Sequence, residues 1–355
     1  MLLKGTHVVQ LGCGLTGDIA GQLLTRLGAG VTRMTLSPCP TCGDLCDESE
    51  PWRAGYSKAK TNVTISPDEL PGWAATGDSK RIDAALIDGV TGPILDSWAA
   101  IARTRRIPSF LFVTVGDEQP DIEIEASGLG AEAVAGVAGT MGPADGAPTP
   151  FGYVFGESNA AIRGVAMLVD RLVNGLLQPS DPANDEWLVE VSAADACIDA
   201  MDDPWQETTM PAAIHEAPNS LTNANYRRTG AQKVGIVPYG LLQARDGWVC
   251  LVGASTMEPI AEALGRPELL EDERLATLDA RIANRDYVIG IFQEWVGTFE
   301  RGQDFVDLLG NSVVVAKSER LEDILDDPHG LLGFDQATAP YAITVGGVPV
   351  EDLDA

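Results

Sequence analysis

The chain has 355 residues, 24 Lys+Arg and 52 Asp+Glu, for a formal net charge of −28. That length buries a sizeable core in one large domain or two ordinary ones, and 45% hydrophobic with 21% charged residues excludes wholesale disorder. Such acidity opposes nucleic-acid binding, since the densest basic run, Arg103–Arg106, holds only three arginines. No apolar stretch reaches the ~18 residues of a membrane span and Met1–Gly5 lacks a signal-peptide core, so a cytoplasmic protein is expected.

The opening reads strand, glycine loop, helix, strand. Thr6–Leu11 is apolar and β-rich, while Ile19, Leu23, Leu24 and Leu27 recur at helical spacing. Gly28 closes that helix and Val31–Leu36 resumes a strand, a βαβ unit that starts a doubly wound sheet. Cys39, Cys42 and Cys46 then cluster. Thiolates at this spacing suit zinc or iron–sulfur, but a fourth ligand is not nearby, so reduced thiols in a surface loop and no metal are expected. Strands at Ala84–Ile87 and Phe110–Val115 flank a helix around Pro93–Arg103. A small-residue helix at 126–139 follows, then a long amphipathic helix at Asn159–Leu177, a strand at Trp187–Val191 and a helix through Met201.

Residues 202–234, polar and proline-bearing, read as a linker between a large domain at 1–201 and a small α+β domain at 235–330. In the latter, Tyr239–Ala244, the Asp246-Gly247 turn and Trp248–Val252 form a hairpin. Helices follow at Met257–Leu264, Ala280–Glu300 and Gln303–Leu309.

Gly12-Cys13-Gly14-Leu15-Thr16-Gly17 matches G-x-G-x-x-G between a strand and a helix, a context in which glycines let a pyrophosphate reach a helix N-terminus. The acidic residue expected about 20 positions on, for the ribose hydroxyls, is missing from Val31-Thr32-Arg33-Met34-Thr35, and Asp18 puts negative charge where a phosphate would rest. Arg33 would suit a 2′-phosphate, so an NADP-binding oxidoreductase is one reading and a plain tight βα turn the other.

The order of further motifs is more informative. Leu3–Leu11, Leu27-Gly28-Ala29-Gly30-Val31, Pro38…Gly43-Asp44, Gly156-Glu157-Ser158-Asn159, Val189–Ala196, Pro238-Tyr239-Gly240, Leu264–Leu269 and Asp327-Pro328 fall in sequence along residues 3–335. In this order they resemble the class III CoA-transferases, the CaiB/BaiF family, which includes formyl-CoA transferases and 2-methylacyl-CoA racemases. The resemblance implies a Rossmann-like large domain built from both termini, with 331–355 as the returning segment. It also implies a small inserted α+β domain and two chains interlocked as a homodimer. In such enzymes a carboxylate attacks an acyl-CoA thioester, forming a mixed anhydride and then an enzyme–CoA thioester. The substrates implied are acyl-CoA and carboxylic acids.

By resemblance the nucleophile position, an aspartate in the family, is Glu157 here. The CoA-binding positions are Leu15 and Thr16 with the bases Arg33, Lys58 and Lys60, each base also readable as a solvated surface charge. Three family positions depart: the first-strand Asp is Gln10, the Lys…Glu pair is Arg33…Thr35, and Asn-Phe-x-Pro-Gly reads Asp88-Gly89-Val90-Thr91-Gly92-Pro93. Glu157 is thus a working nucleophile, a remnant in a chain that binds acyl-CoA or pairs with an active homologue, or a structural glutamate at a helix N-terminus. A racemase would need a His base near Ser127–Gly128, and His7, His215 and His329 all lie elsewhere.

Overall fold

The computed structural model describes residues 2–37, 55–75, 81–116, 128–151, 154–173, 187–201, 228–233, 236–253, 257–310, 313–320, 322–323, 344–345 and 348–349. The Cys39/Cys42/Cys46 cluster and most of 202–234 and 331–355 lie outside them. The chain divides into two compact units, Met1–Ala135 with Gly152–Ala200 and His329–Ala355, and Gly136–Phe151 with Met201–Pro328.

The first unit runs β1 (His7–Gly12), α1 (Leu15–Arg26), β2 (Gly30–Leu36), β3 (Thr61–Ile65), α2 (Leu70–Ala75), β4 (Ala84–Asp88), α3 (Gly92–Arg105), β5 (Ser109–Val113), α4 (Gly128–Val134), α5 (Phe155–Val173), β6 (Leu188–Ser192) and α6 (Ala193–Ala200). Its six strands are all parallel in the order β3-β2-β1-β4-β5-β6. That is the doubly wound Rossmann order, whose direction reverses between β1 and β4 and leaves a crevice at the strands' carboxyl ends. Gly12 stands opposite Asp88 in the register at that point.

Central strands are covered on both faces, hence the near-continuous apolar runs of β1 and β4. Val9, Leu11, Met34, Ile87 and Trp98 are fully buried in one cluster, and the Trp98 indole N–H donates to Ser109 Oγ at 3.0 Å. β3 escapes the hydrophobic pattern because it is an edge strand of Thr, Asn and Val in which only Ile65 is buried. The expected helix over 126–139 is shorter: α4 stops at Val134, Gly136 takes φ +82, and a single turn follows at Val137–Thr140. α5 begins at Phe155 rather than Asn159, which brings Glu157 into its first turn.

One buried polar cluster ties α1 to β1, β2 and the segment before β3. Arg33 Nε donates to Asp18 Oδ1 at 2.7 Å and its Nη2 to Oδ2 at 3.3 Å. Gln10 Nε2 donates to Asp18 Oδ1 at 2.7 Å. Lys60 Nζ donates to Gln10 Oε1 at 2.8 Å and to the Asp18 carbonyl at 2.9 Å. Arg33 is 2% exposed and the Asp18 and Lys60 side chains not at all. Burial, with Arg33 adding to it and Asp18 opposing, lowers the Lys60 ammonium to about 8.

The second unit contains the antiparallel sheet β7-β8-β9 of β7 (Tyr239–Ala244), β8 (Gly247–Val252) and β9 (Val314–Ser318). It is covered by α7 (Glu258–Leu264), α8 (Leu278–Ala283), α9 (Arg285–Val296) and α10 (Gly302–Leu309). The single helix expected over Ala280–Glu300 is two, broken at Asn284. Phe292, Phe305, Val249, Leu251 and Ile260 form its core. Buried Arg281 donates to the carbonyls of Val237 and Leu275, each at 3.0 Å. Two short strands of the first unit's C-terminal segment, β10 (Thr344–Val345) and β11 (Val348–Pro349), pair antiparallel. Among the described residues no helix is long and apolar enough to cross a membrane.

Two stability outcomes follow from the buried cluster. Asp18→Asn leaves Arg33 and Lys60 without their shared anion and should cost about 3–5 kcal/mol, read from urea unfolding of the full chain. Lys60 titrates near 8 when folded against an ordinary 10.5, so the unfolded chain binds its proton more tightly. The burial cost is therefore fully present below about pH 8 and is relieved as pH rises toward 10.5. Stability from this group rises across that window, and Lys60→Met should flatten the rise.

Candidate active site

The crevice is built on backbone from which side chains are missing. Gly12 has φ +102, and a Cβ there would stand 2.0 Å from the Asp88 carbonyl oxygen. A Cβ on Gly14 would lie 1.9 Å from the Asp88 carboxyl carbon and 2.1 Å from each oxygen. The Gly17 N–H donates to Asp88 Oδ2 at 2.7 Å, and the Thr16 N–H adds a second backbone bond. The glycines therefore admit a carboxylate of the chain itself to the helix N-terminus, the seat a pyrophosphate would take in a dinucleotide enzyme. The NADP reading of the fingerprint loses its anion site to Asp88.

Burial raises the Asp88 carboxyl to about 7, against the Gly17 N–H, which favours the anion; the charges of Asp18 and Glu157 push it further up. The same dependence places Glu157 within electrostatic reach of Asp88. Glu157 sits in the first turn of α5. Its Oε1 accepts the Gly128 N–H at 2.8 Å, while Oε2 is buried with no hydrogen-bond partner among the described residues. A Cβ on Gly128 would stand 1.7 Å from that Oε2, so only glycine lets the carboxylate lie across the start of α4.

Near Glu157, buried Cys197 on α6 has its thiol pushed up to about 12, first by burial and then by Glu132 and Glu157. It stays a protonated, inert thiol at neutral pH. A carboxylate held through one oxygen by a backbone N–H, with the other oxygen unpartnered among the described residues, is a group of the kind that can attack an electrophilic carbon.

The expected site residues separate into two groups. Leu15 and Thr16 open α1 beside Asp88, half-buried and buried respectively. Glu157 is brought toward them. Arg33 and Lys60 are not: the structure places them inside the Asp18 cluster, neither solvated at the surface nor available to a phosphate, because a buried carboxylate needs both. Lys58 is exposed in the turn just before Lys60. His7 lies at the opposite end of β1, its N–H donating to Asp83 Oδ2 at 2.9 Å. Asp199 pairs with Arg163 at 2.9 Å on a largely exposed face. Asp88 and Gly128 were not among the expected site residues. Asp88-Gly89 at the end of a strand was a usable signal once β4 is paired with β1; Gly128 offers none. Among the described residues no group of three or more His, Cys, Asp or Glu could hold a metal ion.

A doubly wound α/β unit carrying a carboxylate at its switch point, in a chain with a second unit between its segments, defines a Rossmann-type fold, a class in which ligands generally meet the carboxyl ends of the strands. The chain belongs to CoA-transferase family III, whose sequence model matches residues 113–334. It is 32% identical over 131 residues to succinyl-CoA:mesaconate CoA-transferase of Haloarcula hispanica, a match covering 35% of this chain and 32% of that relative. The chain thus spans about a third of that protein's length, and about a quarter of the Chloroflexus aurantiacus succinyl-CoA–L-malate CoA-transferase alpha subunit, at 35% identity over 107 residues. Longer matches are more distant. Formyl-CoA:oxalate CoA-transferase of Streptomyces avermitilis is 22% identical over 372 residues, 97% of this chain and 88% of the relative. A CaiB/BaiF family protein from Brucella suis shares the fold, with a TM-score of 0.73 at 19% identity over 98% of this chain and 93% of that one.

The Gly128 contact makes a separable prediction. Since the colliding atom ends a flexible side chain, Gly128→Ala should move the Glu157 carboxylate aside while changing stability by less than about 1 kcal/mol. A crystal structure of the variant and its urea midpoint check both halves.

Proposed function

We propose that the protein transfers CoA between carboxylic acids with Glu157 as the acyl acceptor. The observation that carries this reading is the Glu157 carboxylate itself, one oxygen fixed at 2.8 Å by the Gly128 N–H and the other buried without a partner among the described residues. Oε2 attacks the thioester carbon, the C–O bond forms, and the C–S bond breaks with its electron pair going to sulfur. The mixed anhydride so formed is then attacked by CoA sulfur at the Glu157 carbonyl. This releases the first acid and leaves an enzyme thioester from which a second acid takes CoA. A carboxylate nucleophile splits one difficult transfer into such easier steps.

Leu15 and Thr16 at the mouth of the crevice and Lys58 outside it are the positions we assign to CoA. Succinyl-CoA is the donor named for two of the relatives above, so a short dicarboxylic acyl thioester is the first donor to test. An interlocked homodimer belongs to this reading. A heteromer with an active homologue is the second reading, favoured by the relative named as an alpha subunit; turnover by the pure chain eliminates it.

Incubation with succinyl-CoA and hydroxylamine should convert Glu157 to its hydroxamate, identified by peptide mass spectrometry. Glu157→Gln should abolish the adduct and lower transfer by roughly 10³-fold or more. Glu157→Asp, whose shorter side chain withdraws the carboxylate from Gly128, should retain the adduct at roughly 10²-fold lower rate. An unmodified Glu157 across a panel of acyl-CoAs overturns the assignment.

A further inference from the structure

Asp88 stands within electrostatic reach of Glu157, and the transfer described above uses Glu157 alone of the two. Asp88 ends β4 at the switch point, and its oxygens are located by backbone rather than by a mobile side chain, through the Gly17 and Thr16 N–H groups and the absence of a Cβ on Gly14. The groups that bear on it come from every side. α1 contributes Asp18, whose own charge is met by Arg33 and Lys60. α5 contributes Glu157. β1 presents neutral Gln10 beside Gly17, and β5 has Phe112 opposite Asp88 in the register. The Cys13 thiol lies against Gly89. Glu132 and Cys197 stand with Glu157.

We propose that Asp88 carries the proton exchanged with the CoA sulfur, so that the two carboxyl groups of the crevice divide the work into nucleophile and acid. This deepens the Glu157 reading and rests on it. In the first step the Glu157 carboxylate, the acyl-CoA and the Asp88 carboxylic acid become the mixed anhydride, CoA thiol and the Asp88 carboxylate; the electron pair of the broken C–S bond takes the Asp88 proton. In the second, the Asp88 carboxylate removes the thiol proton as sulfur attacks the Glu157 carbonyl. The released acid leaves as a carboxylate and Asp88 is again protonated. Charge and protons balance at each step with no further reactant.

The chemistry needs an unusual aspartate. An ordinary one titrates at about 3.9 and is ionised at neutral pH, whereas a thiol titrates at about 8.5. General acids work best when they titrate near the operating pH. Burial beside two other carboxyl groups lifts Asp88 to about 7, between the two. Asp88 also stands where the family motif has Asn, a residue that keeps a donor but cannot titrate.

The test is the single-turnover rate of Glu157 hydroxamate formation from succinyl-CoA and hydroxylamine, measured from pH 5.5 to 9 on the full-length protein. In the wild type the rate should fall as pH rises through about 7, because the acid form of Asp88 is lost. Asp88→Asn should remove that limb and slow the step by about 10²-fold or more, with the calorimetric Kd for CoA within about threefold of wild type. Wild-type modification together with an unchanged rate or an unchanged limb in Asp88→Asn overturns the role of Asp88 alone. Absence of any adduct on the wild type overturns the Glu157 reading and this one with it. Independently of the variant's folding, infrared titration of the wild type carrying ¹³C-labelled aspartate should show a carboxylic acid band lost near pH 7. Absence of that band overturns the proposal.

Discussion

Between Gly12 and Gly17 the backbone has no room for side chains at two positions, Gly12 and Gly14, because the end of β4 already occupies the space. The Asp88 carbonyl would meet a Cβ on Gly12 at 2.0 Å and its carboxyl carbon one on Gly14 at 1.9 Å, and the Gly17 N–H holds the carboxylate at 2.7 Å. This close approach joins the reversal point of the sheet to the start of α1, and the rest of the crevice depends on it. It places Leu15 and Thr16 next to Asp88, satisfies helix N-terminal donors that would otherwise be orphaned, and sets the Asp88 carboxyl within electrostatic reach of Glu157.

Negative charge is abundant in this chain, and the structure shows how selectively positive charge is set against it. Two of its 24 Lys and Arg residues are withdrawn from solvent to serve Asp18, one side chain that is itself fully buried. Gln10 mediates, donating to Asp18 and accepting from Lys60. The three departures from the family motif at Gln10, Arg33 and Asp88 are thereby connected. The first two belong to one internal cluster under α1, and the third lies at the start of the same helix, close to Gly17 and within reach of the Asp18 charge. Both cations of that cluster are engaged with Asp18 and closed to solvent, whereas Lys58 two residues before Lys60 is exposed.

Periodicity made the central frame legible. β1, α1, β2, β4, β5 and the β7–β8 hairpin carry patterns strong enough to be read without coordinates, since burial on both faces or on one writes itself into residue type. The edge strand β3 did not, because Thr61–Thr64 are polar where solvent replaces packing. Nor did the break at Asn284, since α8 and α9 both continue the same apolar spacing. The candidate Glu157 was singled out by resemblance through its neighbours Gly156, Ser158 and Asn159. Gly128 was not, because a lone glycine in a small-residue stretch carries no sign of what lies against it.

The sequence by itself determined that the chain is an acidic α/β protein of the CoA-transferase type, because composition, strand and helix periods and ordered motifs are properties of residues and their spacing. Only the tertiary structure decided what the glycine fingerprint is for and which charges are available. Asp88 and Gly17 are 71 positions apart, and Lys60 and Asp18 are 42 apart. Whether an ionisable group faces solvent, a partner or another carboxylate depends on neighbours that only folding supplies. The acidity that first marked the whole chain thus becomes local, in a few named carboxyl groups held by specific backbone N–H groups and two buried cations.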